Sequence, residues 1–350
     1  MFSRHRRPRR PWVLVVIAGI LMIPSSAQAA PFPSYDFATP VFGMTTAHDG
    51  TLLLADAGAG IVQLGKGGGQ LIAELPGVTD VSPINPHAMF AVTGGGPGAS
   101  DGKFFRVSKG RTRQIADLSG FEADVNPDGG EIDSNPFDVA TLTKNKALVA
   151  DAAGNDLLIV KRSGRVDWVA SLPEELVSTA NVKSLVGCPD PDPGFEDICD
   201  LPDMIPAQPV ATSVAIGPDG AYYVGELKGF PAPTGASRIW RIEPGTRHAE
   251  CGTSPACSVV ADGFTSIIDL SFHGKTLYVV ELDEASWFAV ELGFPSPGGT
   301  VNTCNSTTWS CKEIATELPI AMAATVGNGG TVYVLILALV PGEAKVIALS

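Results

Sequence analysis

Three aspartates, Asp80, Asp138 and Asp269, stand at one place in a recurring phrase, in "VTDVSPI", "FDVATLTKN" and "IDLSFHGK". The same place elsewhere is taken by Gly43, Ser213 and Ala321, so residue type varies where position repeats, as at a specialised site. Three carboxylates brought together repel one another unless a cation or protons intervene. Ca²⁺ would suit such a set, since it takes six to eight oxygen ligands at about 2.3–2.6 Å and accepts carbonyls and water among them. The competing reading is that strand alternation points these side chains at the backbone of a neighbouring repeat. No asparagine shares the position, which counts against a metal-dependent hydrolase.

A second set lies at the ends of strands that each follow such a phrase: Asp56, Thr93, Asp151, Glu226, Glu281 and Ile336. Four of the six are carboxylates at one repeated place. They could line an acidic rim for a cation or polar ligand. Recurrence favours instead a role in the fold, with each accepting backbone N–H groups from its own turn.

Of the histidines, His48 and His273 fall in turns and His248 in a hairpin, as solvated residues do. His87, in "INPHAM", is the one expected to face a central funnel. The chain has no H-E-x-x-H helix and no phosphate loop, and its G-x-S-x-G match, "GASDG" at 98–102, joins two strands and so is no strand-to-helix elbow. "TGGGPGASDG" joins two strands and has no following helix whose dipole would hold a phosphate. "NST" at Asn305 is a glycosylation sequon where the source glycosylates exported chains.

The elements that must carry these residues are read from the repeats. "TLLLADAGAG", "ALVADAAGND", "AYYVGELKGF", "TLYVVELDEA" and "TVYVLILALV" are versions of one line. Each is preceded by a short apolar segment and a turn, and most are followed by two further strands, as in "IVQL" and "QLIAELP". A degenerate copy, "VTDVSPI", "MFAVTGGG", "KFFRVS" and "RQIADLS", brings the total to six. Four-strand units (A to D) recurring about every 40–50 residues predict an all-β, six-bladed β-propeller. The last copy ends after its C strand, "AKVIALS", whereas "SYDFATPVFGM" near the start resembles "KEIATELPIAM", a D strand running into an A strand. Residues 34–39 are therefore expected to join 345–349 and close the ring, which removes open sheet edges.

Six cysteines fall into near pairs, Cys188/Cys199, Cys251/Cys257 and Cys304/Cys311. Short loops are the least costly to close, so these pairs are the expected disulfides. The second and third occupy equivalent C–D hairpins, while the first sits in the Pro- and acid-rich "VGCPDPDPGFEDICDLPDMIPAQP", an insertion at about 174–208 expected to cap one face.

With these residues in view, "SNPFDVA…LVADAAGNDLLIV", "TSVAIGPDGAYYVGELKGFPAPTGASRIWRI" and "GFTSIIDLSF…LYVVEL" resemble the ScyD/ScyE family of exported NHL-like propellers. That resemblance implies a fold and no established reaction. The "PDG" turns are shared more loosely with NHL-type propellers that include calcium-dependent lactonases and esterases.

The N-terminus reads as an export signal: basic "RHRRPRRP", apolar "WVLVVIAGILMI", then "SSAQAA" with cleavage expected after Ala29. Losing residues 1–29 leaves 19 basic against 37 acidic residues, a formal charge of −18, which excludes nucleic acid and anionic membrane as partners. The function expected is an exported scaffold whose loops, 93–102, 186–208 and 229–235, bind a small molecule, glycan or protein. The alternative is a hydrolase with Ca²⁺ at Asp80, Asp138 and Asp269.

Overall fold

A computed structural model describes residues 32–98 and 100–349; the expected export signal lies outside them. The chain forms a six-bladed β-propeller. Blade 1 runs Val41–Thr46, Leu52–Asp56, Gly60–Gly65 and Gly68–Glu74. Blade 2 runs Val78–Asn85, Ala88–Thr93, Lys103–Ser108 and Arg111–Asp117. Blade 3 comprises Pro136–Thr143, Lys146–Asp151, Asp156–Lys161 and Val166–Ser171. Blade 4 comprises Ala211–Ile216, Tyr222–Glu226, Ser237–Ile242 and Cys257–Phe264. Blade 5 follows with Ile267–His273, Thr276–Glu281, Gly299–Asn305 and Cys311–Leu318. Blade 6 pairs Ala323–Val326, Val332–Ile336 and Lys345–Leu349.

The unbroken apolar runs of the B strands follow from burial on both faces. In blade 3, Ala147 and Val149 pack toward blade 2, while Leu148 and Ala150 pack toward blade 4. Blade 1 does the same: Leu53 and Ala55 meet blade 2, and Leu52 and Leu54 meet blades 5 and 6. Five apolar clusters thus fill the six gaps between blades, the one joining blades 1, 5 and 6 spanning two of them, which is why no blade is stable by itself.

Closure uses the N-terminal segment, but by packing. Lys345–Leu349 pairs with Val332–Ile336, and residues 32–39 lie beside the ring without forming a regular ladder. Phe32 meets the ring of Tyr333 at 5.3 Å, and Phe37 is buried in the cluster that joins blades 1, 5 and 6. The physical reason is a shortage of donors: Pro33 and Pro40 have no N–H to give, and the amide of Ala38 goes to Asp56 Oδ2 at 2.7 Å.

Long connections collect on one face. The B–C and D–A connections there include a helix, Leu118–Val125, between blades 2 and 3, and a second, Trp287–Leu292, within blade 5. Between blades 3 and 4 stands an inserted ribbon, Glu175–Ser178 paired with Met204–Ala207, enclosing two short helices and the Cys188–Cys199 disulfide. On the opposite face the disulfides Cys251–Cys257 and Cys304–Cys311 tie C–D connections.

Candidate functional site

The A strands carry the axial residues, and a register shift places each. The shift falls between Val78 and Asp80, at Pro136/Asp138, between Ala211 and Ser213, and between Ile267 and Asp269. Such a bulge re-aims the side chain that follows it. Asp80 Oδ2 accepts the amide of Val139 at 3.1 Å, Asp138 Oδ2 that of Val214 at 2.6 Å, and Asp269 Oδ2 that of Ala324 at 2.8 Å. Each acceptor belongs to one blade and each donor to the next. The threonine before the axial position adds a bond of its own, Thr79 Oγ1 donating to Pro136 O at 2.8 Å and Thr212 Oγ1 to Ile267 O at 2.7 Å, while Ser213 Oγ in blade 4 has no partner. Gly43 completes the pattern, because a Cβ there would collide with the Asp80 carboxylate.

These carboxyls hold protons unusually tightly. Asp80 is buried, and Asp138 and Asp269 are half-buried. Desolvation, with Asp138 as a charged neighbour, raises Asp80 well above the carboxylate range and Asp269 to about 8. Asp138 is raised as well, by desolvation, and lies within hydrogen-bonding reach of Asp80. The axis therefore holds acids that stitch blades together. Among the described residues no three His, Cys, Asp or Glu side chains gather as closely as a metal centre requires.

The B-strand ends form a second ring of fold-making contacts. Asp56 takes the amides of Ala38 (2.7 Å) and Gly58 (3.1 Å), and Asp151 those of Asn135 (2.6 Å) and Gly154 (3.1 Å). Glu281 takes that of Thr265 at 3.3 Å, and burial raises it to about 9. Each of the three holds the linker arriving from outside its own hairpin, a reach beyond the single turn read from sequence. Thr93 Oγ1 bonds Ser100 O at 2.5 Å within its long B–C loop.

Glu226 departs from this pattern and from the expectation that it would accept amides of its own turn. Its neighbours are Lys228 Nζ at 2.8 Å and Trp240 Nε1 at 2.5 Å. Lys228, with no exposed surface, also meets Glu175 at 2.9 Å, and Arg238 pairs with Glu175 while lying 5.9 Å over the Trp240 ring. Burial raises Glu226, with Lys228 opposing. The available signal was parity: Val224 stands opposite Trp240, so Glu226 at the end of that strand and Arg238 on its partner fall on one face, with Lys228 just beyond the strand.

Two members of this cluster, Glu175 and Arg238, reach a cavity of about 540 Å³ between the inserted ribbon and the blade 4 loop. Leu176, Val177, Met204 and Pro233 supply its apolar sides and Glu175 and Arg238 its polar ones. Leu176 is 66% exposed and Met204 49%, although both are apolar. Asn181 Nδ2 fixes the surroundings by donating to Ala232 O at 2.6 Å and Ser286 Oγ at 3.1 Å. Beside the cavity an aromatic row crosses from the insertion to blade 4: Phe195, Phe294, Phe288 and Phe230 stand 6.0, 6.3 and 6.2 Å apart in turn.

The histidines do not join either place. His87 is exposed in the A–B turn of blade 2, equivalent to His48 and His273, where the irregular wording of that blade hid a regular hairpin. His248 is less free than a solvated hairpin residue. It stacks on Trp168 at 4.8 Å and meets Asp167 at 2.8 Å, and the following Ala249–Glu250 extends blade 3 as a parallel strand. Asn305 is exposed, with Oδ1 accepting the amides of Thr307 and Thr308.

Neither a protein-family model nor a curated protein matches the chain. Solved structures do. A gluconolactonase from Xanthomonas campestris is 10% identical, covering 91% of this chain and 88% of its own, with a TM-score of 0.56. A PQQ-bound aldose sugar dehydrogenase from Streptomyces coelicolor is 11% identical, covering 92% and 96%, at 0.53. Virginiamycin B lyase from Staphylococcus aureus is 12% identical, covering 89% and 85%, at 0.50. At such identities the likeness is one of fold, and the fold is the propeller.

Proposed function

We propose that the protein is an exported propeller scaffold that binds a small molecule, glycan or protein partner through the loops of its elaborated face, and that its kin are the ScyD/ScyE proteins. The cavity between the inserted ribbon and the blade 4 loop carries this reading. A pre-formed recess with apolar walls and a few fixed polar groups is the usual form of a ligand site. Exposed Leu176, Met204 and Phe230 around it cost the free protein solubility and gain a purpose when a ligand with a flat apolar face covers them. Export is supported by the N-terminal signal reading and by three disulfides, which persist in oxidising compartments. No helix among the described residues is long and apolar enough to cross a membrane.

The test is a thermal-shift screen of soluble oligosaccharides and aromatic acids, repeated on Leu176→Asp and Phe230→Ala. A hit lost in both variants, with their unliganded melting unchanged, supports the reading. Hits that survive both place binding elsewhere.

A second reading, a calcium-dependent lactonase- or esterase-like hydrolase, draws on the convergence of Asp80, Asp138 and Asp269. The backbone amides already held by those carboxylates oppose it, and the ring offers neither asparagine nor histidine. Calcium lost specifically on Asp138→Asn would revive it.

A further inference from the structure

A different group of acids is better placed for a cation. The B and C strands of blade 3 are joined through "DAAGND", so Asp151 and Asp156 face each other as the last pair of that ladder. Over this turn lie the Leu118–Val125 helix, which carries Glu122, and the loop after it, which carries Asn126, Asp128 and Asp133.

Two members are fully occupied. Asp151 accepts from Ser134 Oγ, Asn135 N and Gly154 N at 2.6, 2.6 and 3.1 Å. Asp128 accepts from Asn155 Nδ2 at 2.9 Å and Gly130 N at 2.8 Å. The others are not. Asp156 has no exposed surface, and neither of its carboxylate oxygens has a donor. Glu122 is 2% exposed, and its Oε1 has none. The side-chain oxygen of Asn126 is also buried without a partner. Four of the nine such orphan atoms among the described residues fall on these three side chains, and all four are acceptors. No lysine, arginine or histidine pairs with any of the five carboxylates among the described residues.

Acceptors buried together without a donor or a positive charge lack a partner, since burying unpaired carboxylates costs several kcal/mol by the usual order of magnitude. Desolvation and then the neighbouring acids raise Glu122 to about 7 and Asp156 well above its ordinary range, so the group competes for protons when nothing else fills it. An all-oxygen donor set selects a hard cation over zinc or copper. No three carboxylates sit at metal-ligand closeness, so the shell must be mixed, with amide oxygen, carbonyls and water beside two carboxylates. Calcium accepts that composition, whereas magnesium demands a stricter octahedron.

We propose that this protein binds one calcium ion between blade 3 and the helix preceding it, through Asp156, Glu122 and the side-chain oxygen of Asn126. The ion clamps the linker between blades 2 and 3 onto the turn it covers. This site is separate from the axial aspartates and does not depend on the loop-face reading.

The experiment is calcium content and thermal melting of the purified mature protein, in calcium chloride and in chelator. About one equivalent of calcium is expected, with a melting midpoint several degrees higher in calcium. Both should be lost in Asp156→Asn and in Glu122→Gln, and both kept in Asp138→Asn. If Asp156→Asn fails to fold, Glu122→Gln decides alone. Absence of calcium and of any shift in the parent overturns the proposal, leaving protons as the partners. Calcium retained by both variants, or lost only in Asp138→Asn, overturns it as well.

Discussion

Lys228 lies between two carboxylates with no water contact, and its worth is set by what its removal would leave behind. Arg238, 3.5 Å from Glu226, is too distant and too engaged with Glu175 to replace it. Removing one partner of a buried pair costs about 3–5 kcal/mol, whereas removing both is far milder. Lys228→Met is therefore expected to lower unfolding free energy by about 3 kcal/mol, and Lys228→Met with Glu226→Gln to recover much of that, as read by denaturant titration. Asp269 makes a second prediction, with the opposite sense of charge. Its folded pKa of about 8 exceeds the ordinary 3.8, so the folded protein binds a proton that the unfolded chain releases. That contribution is complete at acid pH and is lost as pH rises through about 8. Asp269→Asn keeps an oxygen for the Ala324 amide and has no proton to lose. The variant should gain stability relative to the parent from pH 5 to about 8 and level off above that, by at most about 1.4 kcal/mol per pH unit and less where water reaches the half-buried carboxyl. The repeat made Asp80, Asp138 and Asp269 visible as a set in the sequence. It could not show that bulges aim them at the next blade, nor that Asp156, which reads as an ordinary turn residue, is sealed under a helix.

Strands and helices differ in how well their wording survives in this chain. Each B strand is five or six residues long and mostly apolar, and can be recognised from the others. The Leu118–Val125 helix is eight residues long, with only its N-cap, Asp117 accepting the Gly120 amide at 2.8 Å, to announce it. Two turns are too few to display a helical period, so the element that carries Glu122 was illegible. The ribbon around the cavity was hidden for a related reason: four-residue strands beside prolines resemble a loop. Its disulfide and that of blade 5 should behave differently. Cys304 and Cys311 face each other across the C–D ladder, so replacing both by serine should lower global stability by about 2 kcal/mol. Cys188 and Cys199 close a loop within the inserted ribbon, whose ties to the blades run through Glu175 and Asn181 and not through the disulfide. Replacing that pair should leave the main thermal transition within about 0.5 kcal/mol of the parent while speeding proteolysis between residues 180 and 203, since low-stability segments open by themselves. A single shared loss of stability in both double variants would show that the ribbon and the ring unfold as one unit.

A propeller holds its shape only when its first and last blades meet, and here that junction is made without a shared strand ladder, by side chains and one backbone bond. Val41 donates to Ala338 O at 3.0 Å, Thr46 Oγ1 reaches Val326 O at 3.1 Å, and Phe37 fills the shared core while Tyr35 lies over Gly69 of blade 1. The number of blades and the meeting of the ends were legible because the truncated last copy and the surplus first segment fit one another. The manner of meeting was not, because it depends on which amides the prolines leave free. A closed ring and a frayed end predict different responses to damage at Phe37. If residues 32–39 merely rested on the surface, Phe37→Ala would alter local exchange and little else. In a closed ring the loss of about 3 kcal/mol of core burial should be felt where the ring opens. Amide exchange is expected to accelerate in Val332–Ile336 and Lys345–Leu349, with much smaller changes in the blade 3 strands Lys146–Asp151 and Asp156–Lys161. The variant should also self-associate with time, because Lys345–Leu349, no longer covered, presents an unpaired edge to other chains. Uniform acceleration across all six blades would instead mean that the ring has no weakest seam and unfolds as one body.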